Sequence, residues 1–591
     1  MRHFTSSCTQ LLTVLALSVP LEAGQDAYLK PAVAGTSGGR FGTSVAISGD
    51  TAVVGAPSED GGGPDSGAVT VFVRSGGTWV QQAYLKASNA DVGDQFGTAV
   101  AISGDTIVVG APAERSAATG VNGDQLDNTS VVAGAAYVFV RSGATWTQQA
   151  YLKASNTEGG DAFGNAVAIS QDTIVVAAYG ERSNGTGVDG NQLDNSFGYA
   201  GAAYVFARSG ATWSQQAYLK ASNTGSNDNF GWSVGVSGDI AVVGAWKEES
   251  ASAGVGGDQT DDSLHNAGAA YVFERSGATW NQAAYLKASN PGFDDQFGRS
   301  VAVSGETVVV GAPEERSTAT GVDGDQGDDT GGDRGAAYVF TRSGAVWSQA
   351  AYLKPYTQWS NYFGSSVAVE GDTVLVGAFG DSNGLAWSGA AYAFLKGASG
   401  WEQQAYLWPQ SGDANDQYGT SVGLSGETVV VGAPGEDSAA TGVNGDPLDD
   451  NLQWAGAAYV HTIGQPWADL GFAKGGACWF PLLTVDSPLT AGSAGTLTMF
   501  GACGLAPAAL FVGLSQGQVS TLGGTLVPAL GLPPIFLSVA HDGSIHLPFV
   551  WPPGVPAGTK VYLQYLIHDA IVTGGTPDGV AFSNAVELTA Q

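Results

Sequence analysis

The motif Phe/Tyr-Gly-x-x-Val stands at seven places in this chain, beginning at Phe41, Phe96, Phe163, Phe230, Phe297, Phe363 and Tyr418. Each copy runs on through segments such as Ser-Gly-Asp-Thr, Val-Val-Gly-Ala-Pro, Gly-Ala-Ala-Tyr-Val-Phe, Arg-Ser-Gly-Ala-Thr-Trp and Gln-Gln-Ala-Tyr-Leu-Lys, as between Ser103 and Lys153. In that second copy Gly97 to Ser103 alternates apolar and small residues, the pattern of a half-buried strand. Thr106 to Ala111 is a continuous β-branched run suited to a strand buried on both faces. Gly104-Asp105 between them has Gly first, which predicts a two-residue type II′ hairpin. Gly134 to Arg141 and Thr145 to Lys153 form a second hairpin about Ser142-Gly143, with Tyr137, Phe139, Trp146 and Tyr151 as aromatic packing.

Each repeat is therefore expected to be a four-stranded antiparallel sheet. One such sheet cannot bury both faces alone, and radial stacking about an axis solves this, with the small Gly-Ala-Pro residues where strands converge. The ends decide between a ring and an open solenoid. Ala27-Tyr-Leu-Lys30 precedes the first motif, whereas His461 to Trp467 follows the seventh with no such segment. Seven copies of the outer strand serve seven sheets only if the N-terminal one completes the last blade, which closes the ring and removes open edges.

Gly supplies 88 of the 591 residues, about twice ordinary usage, as many tight turns require. Asp and Glu outnumber Lys and Arg by 54 to 22, a net charge of −32 that repels nucleic acid and anionic membrane and favours cations. Met1-Arg2-His3, the apolar run Leu11 to Val19 and the small residues Ala23-Gly24 make residues 1–24 an expected export signal. No other stretch is long and apolar enough to span a bilayer. A secreted or cell-surface location follows, extracellular or periplasmic. Beyond Cys8 only Cys478 and Cys503 remain, either one disulfide or two buried thiols.

Phe41-Gly42 with Gly55-Ala56-Pro57, Phe96-Gly97 with Gly110-Ala111-Pro112 and Phe297-Gly298 with Gly311-Ala312-Pro313 resemble the FG-GAP repeat of integrin α head propellers and related bacterial surface proteins. The resemblance covers residues 25 to 467. Tyr179-Gly180, Trp246-Lys247 and Phe379-Gly380 depart from it at the Pro positions, and Tyr418 replaces Phe. It implies a ligand-binding or adhesion propeller that uses its long-loop face. The family's Asp-x-Asp-x-Asp-Gly calcium loop belongs in the first hairpin. Here that hairpin is as short as Ser48 to Asp50, Ser237 to Asp239 or Ser304 to Glu306, so those sites are not carried over.

The long repeats gain their length between the second and third strands, where five loops share an acidic element: Thr119 to Asn128, Thr186 to Asn195, Gly254 to Asp262, Thr320 to Asp329 and Thr441 to Asp450. A hard cation takes six to eight oxygens. The candidate calcium ligands are Asn122, Asp124 and Asp127, then Asp189 and Asp194, Asp258 and Asp261, Asp323, Asp325 and Asp328, and Asn444, Asp446 and Asp449. A solvated acidic turn is the competing reading. An acidic residue also recurs after each Gly-Ala-Pro-like segment, at Glu114, Glu181, Glu248, Glu314 and Glu436. Alternate connections of an antiparallel sheet leave from one rim, so these loops share a face with inter-blade loops such as Asn89 to Gln95. Trp246, Trp359 and Trp387 lie in or near this face, placed for packing between loops or for stacking on sugar rings.

Enzyme signals are weak. Gly513-Leu-Ser-Gln-Gly517 and Gly35-Thr-Ser-Gly-Gly39 fit Gly-x-Ser-x-Gly, but neither precedes a recognisable helix. His265, His461, His541, His546 and His568 show no metal-ligand spacing. From about Leu470 the repeats stop, and short apolar segments between Gly and Pro turns predict a small β-sandwich over 470–591. The expected protein is all-β: a seven-bladed β-propeller of four-stranded antiparallel blades over 25–467, followed by that sandwich. It is read as non-enzymatic, binding an extracellular protein or glycan ligand and using calcium if the acidic loops take it. The other readings are a structural cell-envelope protein and a secreted polysaccharide-degrading enzyme.

Overall fold

The computed structural model describes residues 25–33, 37–356, 361–382, 385–397, 400–409 and 412–463, and the backbone of further strands from Trp467 onward. Residues 1–24, Trp359, Cys478 and Cys503 lie outside the described residues, and so does the side chain of every residue beyond 463. The chain divides into two compact units, one of Asp26–Pro355 and Trp359–His461, the other including Thr462–Gln591.

The first unit is seven four-stranded antiparallel sheets. Blade 2 runs Ala99–Ser103, Thr106–Ala111, Ala135–Ser142 and Thr145–Leu152, paired in that order. The second strand is buried along its whole length, as its β-branched run requires. In the hairpin Ser103 faces Thr106, and Gly104 takes a left-handed φ of 56°. The amide of Gly104 reaches Ser48 Oγ of blade 1 at 3.1 Å, and Gly49 of blade 1 reaches Ser425 Oγ of blade 7 at 3.0 Å. First strands of neighbouring blades thus stand side by side around the axis.

The signature residues have direct physical reasons. A Cβ on Gly110 would lie 1.9 Å from the carbonyl oxygen of Gly164 in the next blade, so the Gly of Gly-Ala-Pro is where neighbouring backbones touch. Gly164, the Gly of Phe-Gly, has φ 92°. Its neighbour Phe163 stands edge-on to Tyr204 at 5.3 Å and to Phe206 at 6.2 Å, filling the space between sheets.

A bulge in the fourth strand of blades 1 to 6 sets a residue facing the next blade, and in blades 1 to 3 it is a glutamine that links the two. The register shift beside Val138/Phe139 leaves Gln149 unpaired, and its Oε1 accepts the indole N–H of Trp213 in blade 3 at 2.8 Å. Gln82 and Gln216 do the same for Trp146 and Trp280. Blades 4 and 5 carry Ala283 and Ala350 at the bulge. Trp347 turns instead to Glu274 at 3.4 Å, and the buried N–H of Trp401 has no acceptor.

The ring closes as expected. Gln25–Leu29 pairs with Ala457–Thr462 and completes the blade made by Ser421–Ser425 and Thr428–Ala433. Tyr28 Oη donates to Glu436 Oε1 at 2.6 Å, and its amide donates to Asn444 Oδ1 at 2.9 Å. Lys30 Nζ binds Glu436 at 2.7 Å and the carbonyls of Ser438 and Gly456 at 2.6 and 2.9 Å.

In the second unit the strand pairings are antiparallel. One sheet includes Pro507–Gly513, Lys560–His568 and Val586–Thr589, and another joins Leu482–Val485, Ala494–Phe500 and Ile545–Val550. The packing of one sheet on another that defines a sandwich concerns side chains outside the described residues. Among the described residues no helix is long and apolar enough to cross a membrane.

Two stability outcomes follow. Ala350→Gln supplies the acceptor that Trp401 lacks and raises stability in urea unfolding by about 1 kcal/mol. Lys30→Met leaves the Glu436 carboxylate buried without its cation, a loss of about 3–5 kcal/mol. Lys396→Met, at an exposed lysine, is the control and leaves the urea midpoint unchanged.

Candidate functional site

The order of strands sends the first-to-second and third-to-fourth turns to one rim and the second-to-third and fourth-to-first connections to the other. On the first rim the turns are short, and in blades 1 to 5 an arginine ties them down. Arg141 binds Asp105 Oδ1 at 2.7 Å and Thr51 Oγ1 of the preceding blade at 2.9 Å, and lies 5.1 Å over Trp146. The second rim carries the five insertions, bonded to the inter-blade loops. Asn128 Nδ2 reaches Asp91 at 2.9 Å, Asn195 Nδ2 reaches Glu158 at 2.7 Å, and Ser88 Oγ donates to Gln125.

Beneath this rim lies a buried ion pair that the insertions cover. Lys153 Nζ binds Glu114 at 2.9 Å, with side chains 0% and 1% exposed, and also the carbonyl of Gly134 at 2.6 Å. Glu114 accepts further from Tyr151 Oη and from Asn89 of the preceding inter-blade loop, whose Oδ1 accepts Tyr137 Oη. Glu59–Lys86, Glu181–Lys220, Glu248–Lys287, Glu315–Lys354 and Glu436–Lys30 repeat the pair. The recurring acidic residue of blade 5 is therefore Glu315, where the sequence pattern pointed to Glu314. Two glutamates stand side by side there, and only the second points inward. In blade 6 Trp408 stands at the lysine position, and Asp381 accepts Tyr392 Oη. These carboxylates are engaged by the fold, and burial holds the pKa values of Lys30, Lys153, Lys220, Lys287 and Lys354 below their usual value.

The insertion carboxylates are spread along their loops. Asn122, Asp189, Asp323 and Asn444 take left-handed φ between 53° and 57°. Their Oδ1 atoms accept the amides of Tyr151, Tyr218, Tyr352 and Tyr28 at 2.8–2.9 Å. They pin four of the five insertions to the fourth strand, and in blade 4 Gly256 makes only the backbone bond to Tyr285. Asp124, Asp258, Asp325 and Asp446 each accept the amide two residues on, at 2.9–3.0 Å, closing an Asx turn. Asp127, Asp194, Asp261 and Asp328 do the same, and Asp127 and Asp261 also accept the amides of Ala117 and Ala251. Asp449 accepts from Asn451. These hydrogen bonds hold the pKa values of Asp127, Asp194, Asp258 and Asp261 down and bring Asp328 to about 2. Among the described residues no three His, Cys, Asp or Glu side chains converge as metal ligands. As placed, the insertion oxygens do not form a six-oxygen shell.

Sequence reasoning missed a second set of carboxylates. Asp94, Asp161, Asp228, Asp295 and Asp416 are buried in the inter-blade loops, each accepting the amide three residues before it. Burial, with the neighbouring glutamate of the same cluster adding to it, raises Asp94 to about 6 and the other four to about 7. Their place before each Phe-Gly was visible in the repeats, but their burial was not.

Trp246 stands at the rim with Trp232, Tyr179 and Arg299, and Trp387 packs 5.5 Å from Tyr362 and 5.8 Å from Phe379. The histidines stay apart: His265 stacks on Phe293 and bonds Asp294, and His461 bonds Tyr418. Gly513 ends one strand and Gln516 begins another, so the second Gly-x-Ser-x-Gly match joins strands and no helix follows it.

The five aspartates give stability a definite pH dependence. Their folded pKa values lie above the unfolded one, so the native state binds more protons between about pH 4 and 7, and stability falls as pH rises through that window. Urea midpoints are expected to be higher at about pH 5 than at about pH 8. Asp161→Asn keeps the cap on the Glu158 amide and flattens the dependence.

A family model described as FG-GAP repeat matches the chain over residues 31–72, 79–139, 146–206, 213–273, 280–340, 347–394 and 401–461. No curated protein sequence matches. Among solved structures, Pyrococcus horikoshii acylaminoacyl peptidase is similar with a TM-score of 0.35 and 9% identity, over 82% of this chain and 61% of that one. A Mycobacterium tuberculosis puromycin-hydrolyzing peptidase gives 0.34 and 10%, over 81% and 61%. This chain thus spans less than two thirds of either, and at such TM-scores the likeness carries no argument about fold, activity or substrate. The seven family matches cover more than half of the chain, with one Phe/Tyr-Gly motif in each, and the chain belongs to the FG-GAP repeat family.

Proposed function

We propose that this protein is an extracellular ligand-binding or adhesion propeller that engages a protein or glycan on its long-loop rim. The observation that carries the reading is the difference between the two rims. The short rim repeats one arginine-capped turn in blades 1 to 5. The long rim varies from blade to blade in length, charge and aromatic content while its loops are bonded to one another, which holds a variable surface on a rigid base. The apolar run Leu11 to Val19 supports placing the protein outside the cytoplasm. Action by binding, not catalysis, is part of the same proposal.

Shielding one rim at a time tests it. A polymer is coupled to Leu126→Cys, 87% exposed on the long rim, or to Ala144→Cys on the short one. The parent chain, treated identically, controls for its own cysteines. Binding on glycan and protein arrays is expected to be lost only with the first. Equal binding by both conjugates, or no array binding by the parent, would refute the reading. Calcium dependence is tested separately by melting with millimolar calcium and with chelator. Because turn amides already engage the insertion carboxylates, the expected melting temperature is the same in both, and a clear rise with calcium would restore the metal to the proposal.

A further inference from the structure

Four blades keep proline after the second strand, at Pro57, Pro112, Pro313 and Pro434, while Tyr179, Trp246 and Phe379 replace it in blades 3, 4 and 6. Two of these replacements meet at the long rim beside the axis. Trp232 and Arg299 directly precede the innermost strands Ser233–Ser237 and Ser300–Ser304. Tyr179 and Trp246 directly follow the second strands Thr173–Ala178 and Ile240–Ala245. Tyr199 stacks on Tyr179 at 6.3 Å and 16°, Tyr179 lies 5.1 Å from Trp232, and Trp232 lies 5.6 Å from Trp246.

Two cations are set into this aromatic surface. The Arg299 guanidinium lies 4.3 Å from the Trp232 ring and 4.9 Å from Trp246, and Lys247 Nζ lies 4.6 Å over Trp246. Neither has an ion pair or a side-chain hydrogen bond among the described residues. This is unlike Lys30, Lys86, Lys153, Lys220, Lys287 and Lys354, each held by a carboxylate. Glu314 is the nearby carboxylate that bears on Arg299 electrostatically. The guanidinium lies beside two indoles whose planes are 70° apart, and its N–H groups make no hydrogen bond among the described residues, so they can take an incoming carboxylate in two parallel hydrogen bonds.

Tyr199, 52% exposed, adds an open ring to this surface. Its left-handed φ of 53° recurs at the equivalent Val132, Asn266, Trp387 and Trp454 of other blades and belongs to the repeat.

We infer that Arg299, Lys247 and the rings of Tyr179, Tyr199, Trp232 and Trp246 bind a carboxylated sugar, a pyranose whose apolar face lies on the aromatic surface and whose carboxylate pairs with the guanidinium. This rests on the ligand-binding reading above and names its ligand class. A sugar is favoured over an acidic peptide because the near-parallel rings of Tyr179 and the exposed Tyr199 offer a flat face that matches the C–H face of a pyranose. The acidic loops around the site repel polyanions, so the ligand carries isolated carboxylates among neutral sugars.

The test is binding of the whole protein to oligosaccharides ending in glucuronate, galacturonate or sialic acid, each beside its methyl ester and beside acidic peptides. The acids are expected to bind at least about tenfold more tightly than their esters, and the preferred acid identifies the source. Arg299→Gln removes that preference with an unchanged melting temperature, and Arg299→Lys restores part of it. Tyr199→Asn, which the left-handed turn accepts, weakens the acids and their esters alike and does not lower the melting temperature. Equal binding of acids and esters, equal binding of acidic peptides, or a preference that survives Arg299→Gln would overturn the inference. If no sugar binds while shielding at Leu126 still abolishes binding of another ligand, this inference falls and the ligand-binding reading stands. If no ligand of any class is found, both fall.

Discussion

A lysine ammonium and a glutamate carboxylate meet at the long-loop end of six of the seven blades, withdrawn from water in five and partly exposed in blade 1, and the arrangement of the rim follows from how they are satisfied. Moving two such ions out of water costs several kcal/mol each, and their attraction offsets this only when the remaining hydrogen-bonding capacity is filled. Here it is filled by the blade and by its neighbour. Lys153 also binds the carbonyl that opens the third strand, and Glu114 also takes the hydroxyl of Tyr151 and the amide of Asn89 from the blade before. The pair therefore fixes how the insertion leaves the second strand, where the fourth strand ends and how two blades sit together. In blade 7 the partners are 406 residues apart, so the contact that orders each blade also closes the ring.

The propeller was legible because its constraints repeat. One repeat leaves the choice between strand and helix open for a short apolar run, but seven copies in register remove it, and the displaced Ala27-Tyr-Leu-Lys30 reveals the closure. The rim was legible only in outline. An Asp-rich loop reads alike whether its oxygens gather around a cation or each closes its own turn, because the choice depends on backbone conformation. The left-handed φ of Asn122, Asp189, Asp323 and Asn444 decides for pinning to the fourth strand. Glu314 and Glu315 are indistinguishable by type and differ only in which faces the buried lysine. Ala283 and Ala350 look harmless in sequence, and their effect appears only across the interface, at Trp347 and Trp401.

Repetition also limits where selectivity can reside. A ring of equivalent loops presents nearly the same surface several times, and residues kept from blade to blade, such as the Asx-turn aspartates or the arginines over tryptophan, are accounted for by local structure. A ligand recognised in one orientation needs contacts that occur once. Those contacts lie where blades depart from the repeat: tyrosine or tryptophan where proline is usual, and arginine with no ion pair among the described residues at the start of an inner strand. Apart from Phe379 in blade 6, these departures gather on blades 3 to 5 beside the axis, where loops of several blades come within reach of one small molecule. The symmetric part of the sequence thus builds and closes the scaffold, and its few local conflicts mark the surface on which binding can be selective.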